Sequence, residues 1–149
     1  MQIKKIGARA ILDSRKQRTI QVFIYSDKHK FFTNAPAGKS KGKYETPSYR
    51  ISLEEDINFI NNLDIKKINR LDIKKFKDLI KIEKLTNKRI GANTLFALEA
   101  CLLKAIAYEN KKELWEFLLG NFNKNKIGFD NANKILASTT SLEKSGIFY

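Results

Sequence analysis

The loop of residues 35–45 concentrates the residue types that can do chemistry in this chain. Gly38 and Gly42 permit backbone angles that other residues resist, and successive N–H groups in such a loop can form a concavity that holds an anion. Ser40 can offer a hydroxyl oxygen to a hard cation. Three cations are interspersed in the loop: Lys39, Lys41 and Lys43. The loop therefore predicts an anion-covering segment, although taken alone it is more typical of a lysine-rich turn on a solvated surface.

The loop does not match the P-loop of mononucleotide-binding proteins. That motif needs a glycine, four residues, and then Gly-Lys-Ser/Thr leading into a helix. Counting back from Gly42, the first glycine position is occupied by Ala37, and the closing hydroxyl position is occupied by Tyr44. Counting back from Gly38, the first glycine position is occupied by Thr33. The sequence therefore does not predict a mononucleotide-binding P-loop.

Other reactive side chains do not predict a second site. His29 is the single histidine, lies between lysines in a predicted hairpin turn, and has no Cys or His companion at the spacing of metal ligands. Carboxylates such as those between residues 72 and 81 alternate with lysines, as on a solvated helix face. Cys101 is the single cysteine and lies in an apolar helical pattern, so we expect it to be buried.

Length and charge bound the class of protein. A chain of 149 residues with 42% hydrophobic residues fits one folded domain. No stretch approaches the roughly 18 uncharged apolar residues that span a bilayer, and the single cysteine fits a reducing setting, so we expect a cytoplasmic protein without a membrane partner. The net charge is +13, and residues 1–50 hold 12 Lys and Arg against 3 Asp and Glu. That excess could attract nucleic acid, although lysine-rich composition alone supports it weakly.

The loop lies between two kinds of predicted secondary structure. Three runs rich in apolar and β-branched residues predict strands at residues 3–12, 19–25 and 31–35, joined as an antiparallel meander. After Pro47 the period becomes helical: Ser52, with Glu55 three residues on, predicts the start of a first helix. Asp72 is the predicted cap of a second helix.

The C-terminal half is predicted to be helical as far as residue 120. Residues 92–108 are the most apolar segment and predict a central, buried helix. A short helix should follow from about residue 111, with Gly120 as its end. We therefore predict one domain over residues 1–120 and a loosely packed tail over residues 121–149, with a short helix near residues 131–137.

Three ordered motifs resemble the N-terminal domain of enolase, the enzyme that interconverts 2-phosphoglycerate and phosphoenolpyruvate. Residues 8–15, followed by 19–22, are similar to the family's A-R-x-I-L-D-S-R-G-N-P-T-V-E-V. Residues 35–45, together with Arg50, are similar to P-S-G-A-S-T-G-x-Y-E-A-L-E-L-R. Residues 87–93 are similar to N-K-S-x-L-G-A-N. The similarity spans residues 3 to 118. It implies an α+β fold, a three-stranded antiparallel β-meander followed by a helical bundle, in agreement with the predicted elements.

The resemblance gives the loop a role as a lid over substrate. It maps this lid onto Ala37, Gly38, Lys39, Ser40, Lys41 and Gly42. The lid serine that coordinates the second, substrate-recruited magnesium ion maps onto Ser40. In the family all other catalytic groups come from a barrel that follows this domain. The resemblance therefore assigns no catalytic residue to this chain, and it implies magnesium only in company with a barrel.

Some positions depart from the family pattern. Residues 16–18 read Lys-Gln-Arg where the family has Gly-Asn-Pro, so this turn should differ or carry strain. Gln21 replaces the acidic residue of an ion pair that enolase subunits use at their dimer interface. Lys39 and Lys41 replace an alanine and a threonine, and two cations beside Ser40 would repel magnesium unless a phosphate intervened.

These observations leave two classes of function open. The first is an enolase-like lid domain that is inactive alone and either completes a 2-phosphoglycerate dehydratase with a separate barrel chain or is a degenerate paralogue. The second is a basic module that binds nucleic acid or another polyanion through its cationic strands and lid. A folded domain with no retained activity and a homo-oligomer also stay open.

Overall fold

A three-stranded antiparallel sheet begins the chain and helices follow it in the computed structural model, which describes residues 2–27, 29–35, 42–43 and 45–122. The strands are β1 (Ile3–Leu12), β2 (Arg18–Ser26) and β3 (Lys30–Ala35), in the spatial order β1-β2-β3. They match the predicted strands within one residue at each end. The predicted α+β meander is confirmed.

Five α-helices and one 3-10 helix follow in the described part of the chain. They are α1 (Leu53–Asn61), α2 (Ile65–Arg70), the 3-10 helix (Phe76–Leu79), α3 (Ile80–Thr86), α4 (Ala92–Glu109) and α5 (Leu114–Phe122). Ser52 caps α1 as predicted, since its side chain accepts a hydrogen bond from the N–H of Glu55. Helix α4 covers the predicted central segment, and nine of its residues are buried.

Two helix predictions are wrong. Asp72 caps no helix, because its backbone is left-handed, with φ at 47°. The helix-capping aspartate is Asp64, whose side chain accepts a hydrogen bond from the N–H of Lys66 and begins the unpredicted α2. Gly120 does not end α5, which continues to Phe122. An isolated glycine costs a helix only about 1 kcal/mol, which tertiary packing can offset.

The core lies between one face of the sheet and the helices. Ile20, Val22 and Ile24 alternate along β2 and are fully buried. Helix α4 packs on β2 and β3, and α1 and α2 pack on β1. Cys101 on α4 is buried, as predicted. This arrangement places α4 beneath the point where β3 ends and the predicted lid begins.

Two asparagines close the outer edge of β1. The Asn61 amide accepts a hydrogen bond from the N–H of Ala8 at 2.8 Å and donates one to its carbonyl at 3.2 Å. Asn69 makes the same pair with Ile3, both at 3.0 Å. Because each side-chain amide replaces a neighbouring peptide group, this edge is not free to pair with another strand.

The predicted tail lies almost wholly outside the described residues. Only residues 121 and 122 are described, and they belong to α5. The short helix predicted near residues 131–137 also lies outside. None of the helices in the described part of the chain is long and apolar enough to cross a bilayer.

Candidate functional site: the lid anchor at the start of helix α4

The predicted lid falls mainly outside the described residues. Only Gly42 of its six residues is described, and Ala37, Gly38, Lys39, Ser40 and Lys41 are not. The N–H of Gly42 donates to Oε2 of Glu45 at 2.9 Å, and the N–H of Glu45 donates to the carbonyl of Gly42 at 3.2 Å. The glutamate of the Tyr-Glu motif therefore folds the chain back on itself where the lid ends.

The N-terminal stem of the lid is fixed at Ala35, the last residue of β3. Its carbonyl accepts hydrogen bonds from Oγ1 of Thr19 at 2.6 Å and from Nδ2 of Asn93 at 3.1 Å. Thr19 is buried, and its Oγ1 also lies 3.3 Å from the Tyr49 hydroxyl, at hydrogen-bonding distance. The stem is thus tied to β2, to α4 and to the segment after the lid.

The C-terminal stem crosses the first turn of α4. The carbonyl of Pro47 accepts from the N–H of Ala92 at 2.9 Å, and the carbonyl of Ser48 accepts from the N–H of Asn93 at 3.0 Å. Gly91, the cap residue of α4, makes this contact possible: a Cβ there would overlap Tyr49 Cα and the Ser48 carbonyl. Its φ of −80° is open to any residue, so the requirement for glycine is space.

A buried carboxylate completes this arrangement. Asp56 on α1 is 1% exposed, and its Oδ2 accepts from the N–H of Gly91 at 2.8 Å and from Oγ1 of Thr94 at 2.5 Å. Its Oδ1 accepts from the N–H of Arg50 at 3.2 Å. A negative charge at the N-terminus of α4 is also favoured by the helix dipole. We call these residues the lid anchor: Thr19, Tyr49, Asp56, Gly91, Asn93 and Thr94.

The lid anchor holds the chain in place and uses backbone N–H groups at the start of α4 within the protein. The N–H groups of Ala92 and Asn93 donate to protein carbonyls and that of Gly91 donates to Asp56, so these three are not available to an external anion. Gly91 and Asn93 therefore act as scaffold. The role of the lid anchor is to fix both ends of the lid to helix α4.

A cavity of about 550 Å³ lies beside the anchor. Its walls include Pro47, Arg50, Gly91, Phe96 and Glu99. Burial, together with the charge of Glu83, raises the pKa of Glu99 to about 7. Oε1 of Glu99 is buried and has no hydrogen-bond partner among the described residues. The site thus contains one carboxyl group that is poorly suited to carrying a charge.

The first motif forms a turn between β1 and β2. Oδ1 of Asp13 accepts from the N–H groups of Arg15 and Gln17, both at 2.8 Å, and the hydrogen bond from Gln17 is the largest cause lowering the pKa of Asp13. Lys16 adopts a left-handed φ of 59°, so the turn carries the strain expected from loss of the family's glycine. Asp13 and Arg15 are scaffold residues of this turn.

Residues that the sequence analysis missed form most of the anchor. The burial of Asp56 could have been predicted from helical spacing. Asp56 lies three residues after Leu53 and four before Ile60, so it shares their face of α1, and both of those residues are buried. Thr19 and Tyr49 gave no comparable signal.

His29 packs against Tyr108, with ring centroids 3.9 Å apart. This contact agrees with a structural role for the histidine.

The described residues do not form a metal centre. In the described ranges, no three His, Cys, Asp or Glu side chains come together in a group that could hold a metal ion. Magnesium prefers octahedral oxygen ligands, usually including carboxylates. The described part of the domain therefore does not fit magnesium, and Ser40 lies outside it.

Comparisons with known proteins identify the family. The profile described as "Enolase, N-terminal domain" matches residues 3–118. Enolase from Ehrlichia ruminantium (strain Gardel) is 33% identical over 135 residues, covering 80% of this chain and 32% of that protein. Enolase 1 of Entamoeba histolytica is 30% identical over 132 residues, with 79% and 30% covered.

A third relative shows the same coverage. Enolase from Sulfolobus acidocaldarius is 31% identical over 127 residues, covering 79% of this chain and 30% of that protein. The chain thus spans about a third of the length of the curated relatives that it matches. The chain belongs to the enolase family, and residues 3–118 match the N-terminal domain of that family.

Proposed function

We propose that this domain provides the substrate lid of an enolase and acts with a barrel carried by another polypeptide in the dehydration of 2-phosphoglycerate. The observation that carries the proposal is the lid anchor. Both stems of the lid, at Ala35 and at Pro47–Ser48, are hydrogen-bonded to the first turn of α4. Both ends of the lid segment are thereby held by one helix, as a loop that closes over substrate requires.

The domain contributes positioning. Closing a loop over bound substrate excludes water and completes a catalytic site, and it depends on rigid ends about which the loop can move. Asp56 and Thr19 supply those ends, since both are buried and hydrogen-bonded.

Magnesium enters this proposal only with the barrel. When bound, the ion would stabilise negative charge on the reacting carboxylate. Ser40 would supply one oxygen, and the carboxylate ligands would have to come from the barrel, because the described residues offer no such group. Lys39 and Lys41 would lie near the phosphate of the substrate, whose charge offsets their repulsion of a metal ion.

Mixing experiments test the proposal. The 149-residue chain is combined with the separately produced barrel of a relative such as the Ehrlichia ruminantium enolase, and formation of phosphoenolpyruvate from 2-phosphoglycerate is followed by absorbance. We expect magnesium-dependent turnover in the mixture and none with either chain alone. Ser40→Ala should lower the rate at least tenfold, a loss of about 1.4 kcal/mol in transition-state binding. A matched substitution, Ser14→Ala, changes an exposed serine in the β1–β2 turn and should leave the rate unchanged. A chain that binds the barrel without any turnover would overturn the proposal.

A further inference from the structure

Three exposed apolar side chains lie at the end of the domain where the lid emerges. The antiparallel pairing brings together at this end the last residue of β1, the first residues of β2 and the last residue of β3. Helix α4 begins there, where Asn93 bonds to Ala35, and so does α1, where Glu54 pairs with Arg18 at 2.6 Å. In the described part of the chain, the most exposed large apolar side chains are those of Ile51, Leu12 and Phe96, at 76%, 63% and 59%. We call these three residues the stem-end patch.

Leu12 and Ile51 flank the two stems of the lid. Leu12 is the last residue of β1 and pairs with Arg18, the residue before Thr19 of the lid anchor. Strand alternation places Leu12 on the core-facing side of β1, and yet its side chain is exposed. Ile51 lies two residues after Tyr49, between the C-terminal stem and α1. The core of the domain thus ends in two apolar side chains that the described residues leave exposed.

Phe96 extends the patch along α4. It lies two residues after Thr94, and it forms part of the wall of the cavity of about 550 Å³, together with Pro47 and Arg50. Glu99 lies in the same wall, and burial is the main cause that raises its pKa to about 7. A carboxyl group that is partly neutral at pH 7 loses less hydration when a partner covers it than a fully ionised group does. The cavity beside the patch is therefore suited to being covered.

We propose that the barrel docks on the stem-end patch, through apolar side chains that cover Leu12, Ile51 and Phe96. This inference rests on the proposed function, because a lid can close only over substrate that a docked barrel presents beside it. The chain covers 32% of the Ehrlichia ruminantium enolase, so about two-thirds of that relative lies outside the match. Exposed apolar groups that cluster are typical of a surface that a partner covers. A second copy of the chain fits less well, because each copy has a net charge of +13.

Binding of the 149-residue chain to the barrel of the Ehrlichia ruminantium enolase, followed by isothermal titration calorimetry, tests this proposal. Ile51→Asp and Phe96→Asp should each weaken binding at least about tenfold, because each places a charge in an apolar contact. Ile80→Asp is the matched control, since Ile80 is 47% exposed on α3 outside the patch, and it should leave the affinity unchanged. The affinity of the parent should change little as salt is added, whereas an attraction by net charge would be screened.

Three results would overturn the docking surface. The first is equal affinity of the parent and both patch variants for the barrel. The second is a lower midpoint of urea unfolding for Ile51→Asp in the chain alone, which would mean that another part of the chain already covers the patch. The third is a change of self-association in sedimentation with barrel binding left intact, which would make the patch an interface between copies of the chain.

Turnover separates the failure of this inference from the failure of the proposed function. At a saturating concentration of barrel, Ile51→Asp should reach the parental rate of phosphoenolpyruvate formation, because its lid and anchor are unchanged. Ser40→Ala should bind the barrel normally and remain slow. Turnover in a mixture whose binding is indifferent to the patch would overturn only the docking surface. Patch-dependent binding without turnover would overturn only the proposed function, and no binding of the parent would overturn both.

Discussion

The lid anchor and the face of the sheet opposite the helices, which we call the open sheet face, both carry polar side chains, but the anchor buries them and the sheet face exposes them. In the anchor, Asp56 and Thr94 are at most 1% exposed, and each polar atom that they present is hydrogen-bonded within the chain. On the open sheet face, Lys5, Lys30 and Phe32 are exposed. Buried polar groups must be paired, so the anchor serves the fold, whereas the exposed side chains of the sheet face are not under that requirement.

The largest effect should come from adding a methyl group to the anchor. Gly91→Ala places a Cβ inside the Tyr49–Ser48 backbone, which cannot move without releasing the hydrogen bonds to α4. We expect a loss of about 3 kcal/mol in the free energy of unfolding, measured by urea titration. Gly120→Ala is the control, because there the nearest atom is the flexible Nζ of Lys112 at 3.9 Å. That change should stabilise α5 by up to about 1 kcal/mol, and equal destabilisation by both would contradict the role assigned to Gly91.

Removing the charge of the buried carboxylate should have the next largest effect. Asp56→Asn keeps the shape but presents an NH₂ group to donors at Gly91, Thr94 or Arg50. We expect a loss of about 2 kcal/mol in the free energy of unfolding. Glu55→Gln alters an exposed neighbour on the same helix and should change stability by less than about 0.5 kcal/mol. Similar values for the two variants would show that the anchor does not depend on its carboxylate.

Glu99 gives a smaller, pH-dependent effect. Its pKa is raised from 4.5 to about 7, so between these values the folded chain holds a proton that the unfolded chain has released. Stability contributed by this group is therefore lost as the pH rises from 4.5 to 7. Glu99→Gln should be more stable than the parent above pH 7, by on the order of 1 kcal/mol after solvent screening, and equal to it below pH 4.5. Thermal melts of both chains across this range measure the difference, and a constant offset at all pH values would contradict it.

The smallest effect on stability is expected at the open sheet face. Lys5→Gln/Lys30→Gln removes two exposed charges whose neighbours are aromatic rings. The free energy of unfolding should change by less than about 0.5 kcal/mol. A large loss of stability in a urea titration would mean that this face serves the fold after all, and the contrast with the anchor would disappear.

The sequence predicted the strands better than it predicted the middle helices. The pentapeptide Leu-Asp-Ile-Lys-Lys occurs twice, at residues 63–67 and 71–75, so local pattern offered two equal helix starts. Only the first is a start, because Asp64 caps α2 and Ile68 on that helix is buried in the core. In the second, Asp72 is left-handed, and Asp78 takes the N–H groups of Lys74 and Lys75. Tertiary packing therefore determines which of the two aspartates begins a helix, and neither pentapeptide alone contains that information.

The candidate site was predictable only in part for a similar reason. Motifs placed the lid between β3 and the first helix, and the family resemblance named Ser40. The anchor joins residues 19, 49, 56 and 91–94, which are brought together by the fold and are far apart in sequence. The alignment of Gly7 with Phe23 and Phe32 across the open sheet face could be known only from the strand register.

The most direct test of the central claim, that this domain preserves a working enolase lid on its anchor, is a chimera. Residues 1–118 of this chain replace the corresponding domain of the Sulfolobus acidocaldarius enolase, and the rate of phosphoenolpyruvate formation is measured with magnesium present. The account predicts turnover that falls at least tenfold with Ser40→Ala and is retained in Lys5→Gln/Lys30→Gln. A folded chimera without turnover, or one whose rate is indifferent to Ser40, would contradict it.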